Sequence, residues 1–227
     1  MDAPQVDSPV DIGPARPPSH SFLTGRLVRI EPLSPSHTEG LYDRVGRPEH
    51  AALWSYMPSG PFREKTAFEN FITARVASKD PFFYTILDRA HGKPLGFCSL
   101  MRIDTAHRVL EIGNIVLSPA IQRTTSATEV FYLIASAVFE DLGFRRFEWK
   151  CDSANVPSRR AAERFGFSYE GLFRQHMIVK GRNRDTAWFS IIDSEWPARR
   201  DALGKWLDPR NFDAEGNQRR SLGSFRC

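Results

Sequence analysis

The sequence predicts an α+β fold of the α/β class, with a mixed, mostly antiparallel central sheet of about seven strands and helices on both faces. Two observations predict it. Hairpin-like apolar runs dominate the first half of the chain, and a strand–helix–strand order follows in the second half. The chain has 227 residues, 41% of them hydrophobic, which is enough for one domain with a full core.

The first half is predicted to hold four strands and two helices. Ser34-Pro35 is a helix start, and Gly46 with Pro48 ends that helix. The second helix follows from apolar residues at helical spacing. The strands are Arg26–Glu31, Phe82–Asp88, Leu95–Ile103 and Val109–Leu117, and the helices run from 34 to about 45 and from about 63 to 78.

The second half is predicted to hold three more strands and three helices. Gly143 and Gly166 each follow an apolar periodic run, the position where glycine ends helices. The strands are Arg146–Cys151, Phe167–Val179 and Thr186–Ile192. The helices start at about Ala127, Pro157 and Ser194.

Both ends of the chain differ in composition from the middle. Residues 1–20 contain five prolines and little apolar surface to offset the entropy of ordering, so they are predicted to be a flexible arm. Residues 21–207 then form the single domain, and 208–227 a C-terminal tail.

Composition excludes several classes of protein. An apolar signal core and any run near 18 apolar residues are absent, so a cytoplasmic protein without membrane insertion is expected. Three cysteines without paired spacing predict neither a disulfide framework nor a metal site, and Cys98 and Cys151 in apolar strands are predicted to be inert core thiols.

The net charge of +4 is modest, and the arginines are scattered among acids. A nucleic-acid surface concentrates its charge on one face, so a nucleic-acid partner is not favoured. An anionic cofactor explains the basic residues equally well.

The stretch from Asn114 to Glu129 predicts an anion site. A β-branched run stops at Ser118-Pro119, a Thr/Ser-rich turn follows, and a helix begins. The first amides of a helix have no intrahelical acceptor, and the macrodipole makes that end positive. A phosphate-bearing ligand is expected there.

Three segments resemble the GCN5-related N-acetyltransferase superfamily, and in particular its ribosomal-protein-acetylating branch. The resemblance covers roughly residues 24–192. The segments are the strand Glu111-Ile-Gly-Asn-Ile-Val-Leu-Ser-Pro, the turn Gln122-Arg-Thr-Thr-Ser-Ala127, and Asn155-Val-Pro-Ser-Arg-Arg-Ala-Ala-Glu-Arg-Phe-Gly-Phe-Ser-Tyr-Glu-Gly171. The third is the most specific.

The resemblance implies acetyl-CoA as acetyl donor and assigns residues to its binding. Strand amides would stabilise the charge on the carbonyl oxygen, the turn and helix start would bind the pyrophosphate, and the third segment would contact the pantetheine arm. The residues are Ile115, Val116 and Leu117; Gln122, Arg123, Thr124, Thr125, Ser126, Ala127 and Thr128; and Asn155 and Ser158.

The turn departs from the family pattern at Thr125, where glycine is expected. Glycine there would allow a positive φ and close approach of the backbone to pyrophosphate. An alternative interpretation is that Ser126 or Thr128 only caps the helix, although capping and phosphate binding are compatible.

The resemblance also implies the catalytic candidates. Glu111 lies where many members place a base, and Ser158 where a hydroxyl protonates the departing thiolate. A second carboxylate used by some relatives is replaced by Met177, and the neighbouring His176 is an alternative base that adjacent strand residues should place on the other face. Competing interpretations are that Glu111 only pairs with an arginine and that Ser158 only bonds to backbone.

The aromatic loop from Trp54 to Phe62 lies where this branch forms a wall of the acceptor pocket, so Trp54 and Tyr56 are substrate-binding candidates; core packing is the alternative. The expected activity is direct transfer of acetyl to a primary amine, a protein N-terminus or a small molecule. A non-catalytic acyl-CoA binder and an RNA- or ribosome-docking module stay open. A homo-oligomer is compatible with the sequence.

Overall fold

The computed structural model describes residues 13–19 and 22–226. These residues form eight strands and five α-helices. Apart from the additional first strand, the order along the chain is the one that the sequence predicts. The strands are β1 (Leu23–Thr24), β2 (Val28–Pro32), β3 (Phe82–Asp88), β4 (Pro94–Asp104), β5 (Val109–Leu117), β6 (Arg146–Asp152), β7 (Ser168–Val179) and β8 (Arg182–Ile192). The helices are α1 (Thr38–Leu41), α2 (Lys65–Val76), α3 (Thr125–Ser136), α4 (Val156–Phe165) and α5 (Trp196–Leu207).

The strands form a single mixed sheet in the order β1-β2-β3-β4-β5-β6-β8-β7. Only β5 and β6 pair in parallel, because α3 crosses between them; the other neighbours are antiparallel. The predicted fold class is confirmed. The eighth strand is β1, whose two residues are too short to show a period in the sequence.

Helices cover both faces of the sheet, and each face has its own hydrophobic core. The back face carries α3, α4 and α5, whose apolar residues pack on Ile112, Trp149 and Phe189. The front face carries α1 and α2, which pack on Phe83 and Phe97 of β3 and β4. On β5, β6 and β8 the front face is instead polar, and this polar area adjoins the candidate site.

The helix that the sequence predicts over 34–45 has three parts in the structure. Ser34 caps a 3-10 turn at Pro35–His37, α1 follows, and a π-helical turn at Tyr42–Gly46 ends it. The capping box at Ser34 and His37 explains why the start is where the sequence indicates.

The two ends of the chain lie against the domain wherever they are described. Residues 1–12 and 20 of the predicted arm lie outside the described residues. Ala15, however, is buried and its N–H donates to the Thr105 carbonyl (2.9 Å), so this part of the arm is packed. In the predicted tail, Leu222 is buried in the back-face core. The division into arm, domain and tail therefore remains a prediction, with parts of both ends packed.

Candidate active site

The strand β5 separates from β6 at the centre of the sheet. The two strands pair from Val109↔Arg146 to Ile112↔Trp149, and then β5 continues to Leu117 along β4 alone. A bulge at this point, with Asn114 at φ 50°, turns β5 away. The amides of Ile115 to Leu117 therefore lie beside a wedge-shaped opening, as the resemblance implies.

The turn after β5 leads directly into the N-terminus of α3. The Ser118 carbonyl accepts hydrogen bonds from the amides of Ile121 (3.1 Å) and Gln122 (3.3 Å), and Arg123 adopts a left-handed φ of 63°. Thr124 caps α3, since its Oγ1 accepts from the Ala127 amide (3.4 Å). The capping residue is thus neither Ser126 nor Thr128.

The backbone of Thr125 does not have the positive φ for which the family pattern has a glycine. The left-handed residue of this turn is Arg123, whereas Thr125 is the first residue of α3. A threonine can adopt helical φ without strain, so the backbone conformation does not require glycine at that position. The first amides of α3 still project from the helix end beside the opening, which fits a phosphate-bearing group.

Two predicted cofactor residues of this turn have structural partners. The side-chain amide of Gln122 donates to the Leu117 carbonyl (2.8 Å), which closes the turn. The hydroxyl of Thr128 is buried and accepts from the Arg164 guanidinium (3.0 Å), so it points into the protein. The Thr128 side chain is therefore turned away from a ligand, and one amide hydrogen of Gln122 is used within the turn.

Asn155 and Ser158 lie at the start of α4, at the other side of the opening. Asn155 caps α4, since its Oδ1 accepts from the Ser158 amide (3.1 Å). The Ser158 hydroxyl accepts from Nε1 of Trp149 (3.0 Å), the last β6 residue paired with β5. Ser158 is thereby held at the opening by a side chain rather than by backbone.

Glu111 lies on the front face and is enclosed by cations. Its side chain is only 6% exposed, and its Oε2 lies 3.2 Å from Nζ of Lys150 and 3.3 Å from Nε of Arg102. Lys150 also pairs with Glu148 (2.6 Å) and lies 3.8 Å over the Trp188 ring. The arginine pairing that the sequence left open is present, and a lysine adds to it.

Burial raises the pKa of Glu111, while Lys150 and Arg102 oppose the shift. A raised pKa brings a carboxyl group closer to the range in which it can exchange protons near neutrality. Glu111 and Ser158 project from opposite faces of the sheet, because Glu111 alternates with Ile112, whose neighbour Trp149 holds Ser158.

His176 lies closer to this polar surface than strand alternation predicts. Register shifts between Phe173 and Met177 break the alternation of β7, and Gln175 takes a φ of 51°. The His176 Nδ1 therefore lies 2.9 Å from the Thr186 hydroxyl, on the front face of β8. The expectation that His176 faces away from the site is wrong for this reason.

Trp54 and Tyr56 have different environments. Trp54 is 1% exposed, donates to the Val45 carbonyl (2.7 Å) and packs against phenylalanines, so the alternative of core packing describes it. Tyr56 is 40% exposed and donates to the Ala154 carbonyl (3.1 Å), next to Asn155. Of the two substrate-binding candidates, only Tyr56 presents a surface to the site.

The described parts of the chain offer little other chemistry. No group of three or more His, Cys, Asp or Glu residues there has the geometry to hold a metal ion. Cys98 and Cys151 are buried, and burial raises the pKa of Cys98 to about 12, which makes it a poor nucleophile. None of the described helices has the length and apolarity to span a membrane.

The family is decided by a match to the acetyltransferase (GNAT) domain over residues 27–168, which is more than half of the chain. The chain belongs to the GNAT family. The match begins at the turn before β2 and ends at the start of β7, so it includes the opening between β5 and β6, the α3 N-terminus and α4.

Solved GNAT structures share the whole fold. A GCN5-related N-acetyltransferase from Brucella melitensis superimposes with a TM-score of 0.92 at 46% identity, covering 94% of this chain and 97% of that one. A probable acetyltransferase of the GNAT family from Chromobacterium violaceum has a TM-score of 0.80 at 36% identity, covering 87% and 100%.

Among curated proteins, the chain is 30% identical over 105 residues to the protein named "Putative ribosomal N-acetyltransferase YdaF" of Bacillus subtilis. That match covers 46% of this chain and 57% of the relative. The chain spans about half to three-fifths of the length of the curated relatives it matches.

Sequence reasoning left the arginine beside Glu111 unidentified and missed the lysine. Lys150 and Arg102 lie 39 and 9 positions from Glu111 and become neighbours only through strand pairing. The alternation of β6 was the available signal, because it places three charged residues on one face: Arg146, Glu148 and Lys150. This pattern could have indicated a charged neighbour for Glu111.

Proposed function

We propose that the protein is an N-acetyltransferase that moves the acetyl group of acetyl-CoA to a primary amine by direct transfer. The observation that carries the proposal is the opening between β5 and β6, flanked by the α3 N-terminus and by α4. Members of the GNAT family use acetyl-CoA, and the opening has the groups that such a ligand needs.

The proposed donor site consists of main-chain groups and hydroxyls. The first amides of α3, with the hydroxyls of Thr125 and Ser126, would hold the pyrophosphate. The strand edge at Ile115 to Leu117 offers amides to an acyl oxygen and to a pantetheine amide. Asn155 keeps its side-chain N–H₂ for the same ligand, because only its Oδ1 is used for capping.

The proposed chemistry divides between the two faces of the sheet. On the front face, Glu111 accepts a proton from the acceptor ammonium, through the polar network or a water molecule. The amine nitrogen then bonds to the acetyl carbon as the carbon–sulfur bond breaks and its electron pair stays on sulfur. The acylated nitrogen loses its second proton to water. On the back face, the Ser158 hydroxyl donates a proton to the thiolate and regains one from water. Acetyl-CoA supplies the activated acyl group.

We rank His176 below Glu111 as the general base. Its Nδ1 is engaged by Thr186, and aromatic rings of Phe173 and Trp188 lie against it. Its other ring nitrogen remains for proton exchange. We propose a supporting role for it at most, in shaping the acceptor side of the site.

The acceptor is proposed to be a protein N-terminus or a small amine. The relation to a relative named for ribosomal acetylation favours the ribosomal-protein-acetylating branch. Tyr56 is proposed to contact the acceptor, because it is exposed beside the β6–α4 turn. Cytoplasmic location and self-association are not required by this proposal.

The first test measures donor binding and turnover separately. Calorimetry with acetyl-CoA is expected to show binding, and a panel of amines and peptides is expected to release free thiol. Absence of binding at millimolar acetyl-CoA would refute the proposal. Binding without thiol release from any acceptor would identify a non-catalytic acyl-CoA-binding protein instead.

The second test addresses Glu111. Replacement Glu111→Gln is expected to lower kcat by about 10²–10⁴-fold, because it removes the proposed base and keeps the shape of the side chain. Calorimetric affinity for acetyl-CoA should stay within about twofold, since the donor is held by main-chain groups. Glu163→Gln, at an exposed position of α4, is the matched control. An unchanged kcat in Glu111→Gln excludes this role.

A further inference from the structure

We propose that the acceptor amine carries a negatively charged group, a carboxylate or a phosphate, which Arg159 and Arg184 bind. The inference rests on the proposed function and adds a substrate class to it. Arg159 extends from α4 and Arg184 from β8, and both flank the end of β6.

Three segments converge where these arginines lie. The Tyr56 hydroxyl joins the aromatic loop to the β6–α4 turn at Ala154 (3.1 Å). Lys180 of the β7–β8 hairpin donates to the Trp54 carbonyl (2.8 Å), and Ser153 donates to the Asp185 carbonyl (2.9 Å). The loop, the turn and the hairpin therefore enclose the acceptor side of the opening.

Both guanidinium groups have a buried donor without an acceptor. Nε of Arg159 and Nε of Arg184 are buried and have no hydrogen-bond partner. In the described ranges the only other buried side-chain N–H group of this kind is Nε1 of Trp188, which lies on the same face of β8 as Arg184. Buried donors without acceptors cost free energy, so their concentration here indicates a ligand rich in acceptor oxygens.

The charges of these two arginines are not balanced by an ion pair with any described residue. In the described parts of the chain no carboxylate oxygen lies within 4 Å of either guanidinium, and what sets these two arginines apart is that each also has a buried Nε without an acceptor.

The nearby carboxylates are already engaged with the backbone. Oδ1 of Asp152 accepts from the Ala154 amide (2.8 Å), and Oδ1 of Asp185 accepts from the Gln175 amide (2.7 Å). These bonds hold the two acids against main-chain amides instead of against the arginines.

The two arginines share a neighbourhood. Nη1 of Arg159 lies 3.5 Å from the Ser153 carbonyl oxygen, and the Ser153 amide donates to the carbonyl of Asp185, the residue next to Arg184. Both arginines therefore lie beside the end of β6. Guanidinium groups bind carboxylate and phosphate oxygens in pairs of charge-assisted hydrogen bonds, so they would fix the orientation of an anionic acceptor.

The experiment compares pairs of acceptors that differ only in charge. One pair is an α-amino acid and its carboxamide, and the other is 2-aminoethyl phosphate and ethanolamine. Rates are expressed per concentration of unprotonated amine, since the pairs differ in amine pKa. The wild-type protein is expected to favour the anionic member of at least one pair by about tenfold or more in kcat/KM. Which pair shows the preference distinguishes carboxylate from phosphate.

Variants assign the preference to the arginines. Arg184→Gln and Arg159→Gln are expected to reduce it to within about threefold, by raising the KM of the anionic acceptor, while the KM of acetyl-CoA is unchanged. Arg160→Gln, at the exposed neighbouring position of α4, is the control and should keep the preference. Circular dichroism verifies that each variant is folded.

The outcomes separate the inference from the proposed function. Equal use of anionic and neutral amines by the wild type, or a preference that survives in both variants, overturns the inference and leaves the acetyltransferase standing. If the variants instead raise the KM of acetyl-CoA, the arginines bind the donor, and this result overturns the inference as well. Lack of thiol release from every amine refutes the proposed function.

Discussion

At the scale of single residues, Glu129 joins two distant parts of the chain with one buried carboxylate. Its oxygens accept hydrogen bonds from the amides of Arg26 (2.9 Å), Leu27 (2.6 Å) and Val28 (2.9 Å). The close approach needs Gly25, because a Cβ there would lie 2.5 Å from the Glu129 carboxylate. The first turn of α3 is thereby fixed to the start of β2.

Replacement Glu129→Gln is expected to lower the free energy of unfolding by about 1–3 kcal/mol, because the side-chain amide cannot accept three hydrogen bonds and leaves buried amides unpaired. Urea unfolding measures the loss. The exposed Glu49→Gln should change stability by less than about 0.5 kcal/mol. Equal stability of both variants would contradict the account of this contact.

Roles of individual residues were the part of the site that the sequence predicted least well. The spacing in α4 places Arg159 on an outer face, yet its Nε is buried and its Nη1 lies 3.5 Å from the Ser153 carbonyl oxygen in the β6–α4 turn. Trp54 looked suited to a ligand and lies in the core. Periodicity locates a residue on its own element, whereas its neighbours depend on how elements pack.

At the scale of elements, an ion pair ties the edge strand β7 to β6 across β8. The Arg146 guanidinium pairs with both carboxylate oxygens of Glu170, and Oε1 of Glu170 also accepts from the Ser190 hydroxyl (2.6 Å). The strand between them supplies the serine, so all three strands contribute to one cluster.

This cluster predicts how stability depends on pH. Hydrogen bonding from Arg146 is the main cause that lowers the pKa of Glu170 below its ordinary value of 4.5. A carboxyl group with a lowered pKa stabilises the folded state above its unfolded pKa, and this contribution is lost as the pH falls through the folded value. Glu170→Gln is therefore expected to lower the Tm at pH 7, and the difference from wild type should shrink below about pH 4.5.

Calorimetric scans at several pH values between 7 and the acid limit of folding test the expectation, with Glu163→Gln as the exposed control. A Tm difference that is as large in acid as at pH 7 would mean that packing, rather than charge, holds Glu170 in place.

The elements themselves were largely predictable, since each depends on local sequence. β3 and β5 have the predicted bounds, and α4 ends at Gly166 because only a left-handed residue, here at φ 97°, closes it in this way. The bulge of β7 was not predictable, because its extra residues carry no turn signal and follow from pairing with β8. That bulge is what moves His176 to the site.

At the scale of the whole molecule, the C-terminal segment supports the back-face core. Nε1 of Trp206 donates to Oε1 of Gln218 (2.8 Å), and Leu222 is buried beside it in the same core. Arg226 donates to the Glu163 carbonyl (3.0 Å) at the end of α4. The segment thus braces the helix that bears Asn155 and Ser158.

Truncation after Leu207 is expected to destabilise the protein, and Leu222→Ala alone to cost about 2–5 kcal/mol, because it removes a buried side chain and leaves a cavity. Chemical denaturation measures both. Arg219→Ala, at an exposed position of the same segment, is the control. If the truncated chain is as stable as the full one, the segment is only a peripheral appendage.

The short parallel pairing between β5 and β6 has a mechanical consequence. Four residue pairs, Val109↔Arg146 to Ile112↔Trp149, are the whole ladder that joins β1–β5 to the other three strands. The sheet is therefore two half-sheets with a narrow joint, and a ligand in the opening would touch both halves. Binding would connect the two half-sheets, so that the stability of the joint would rise with the concentration of the ligand.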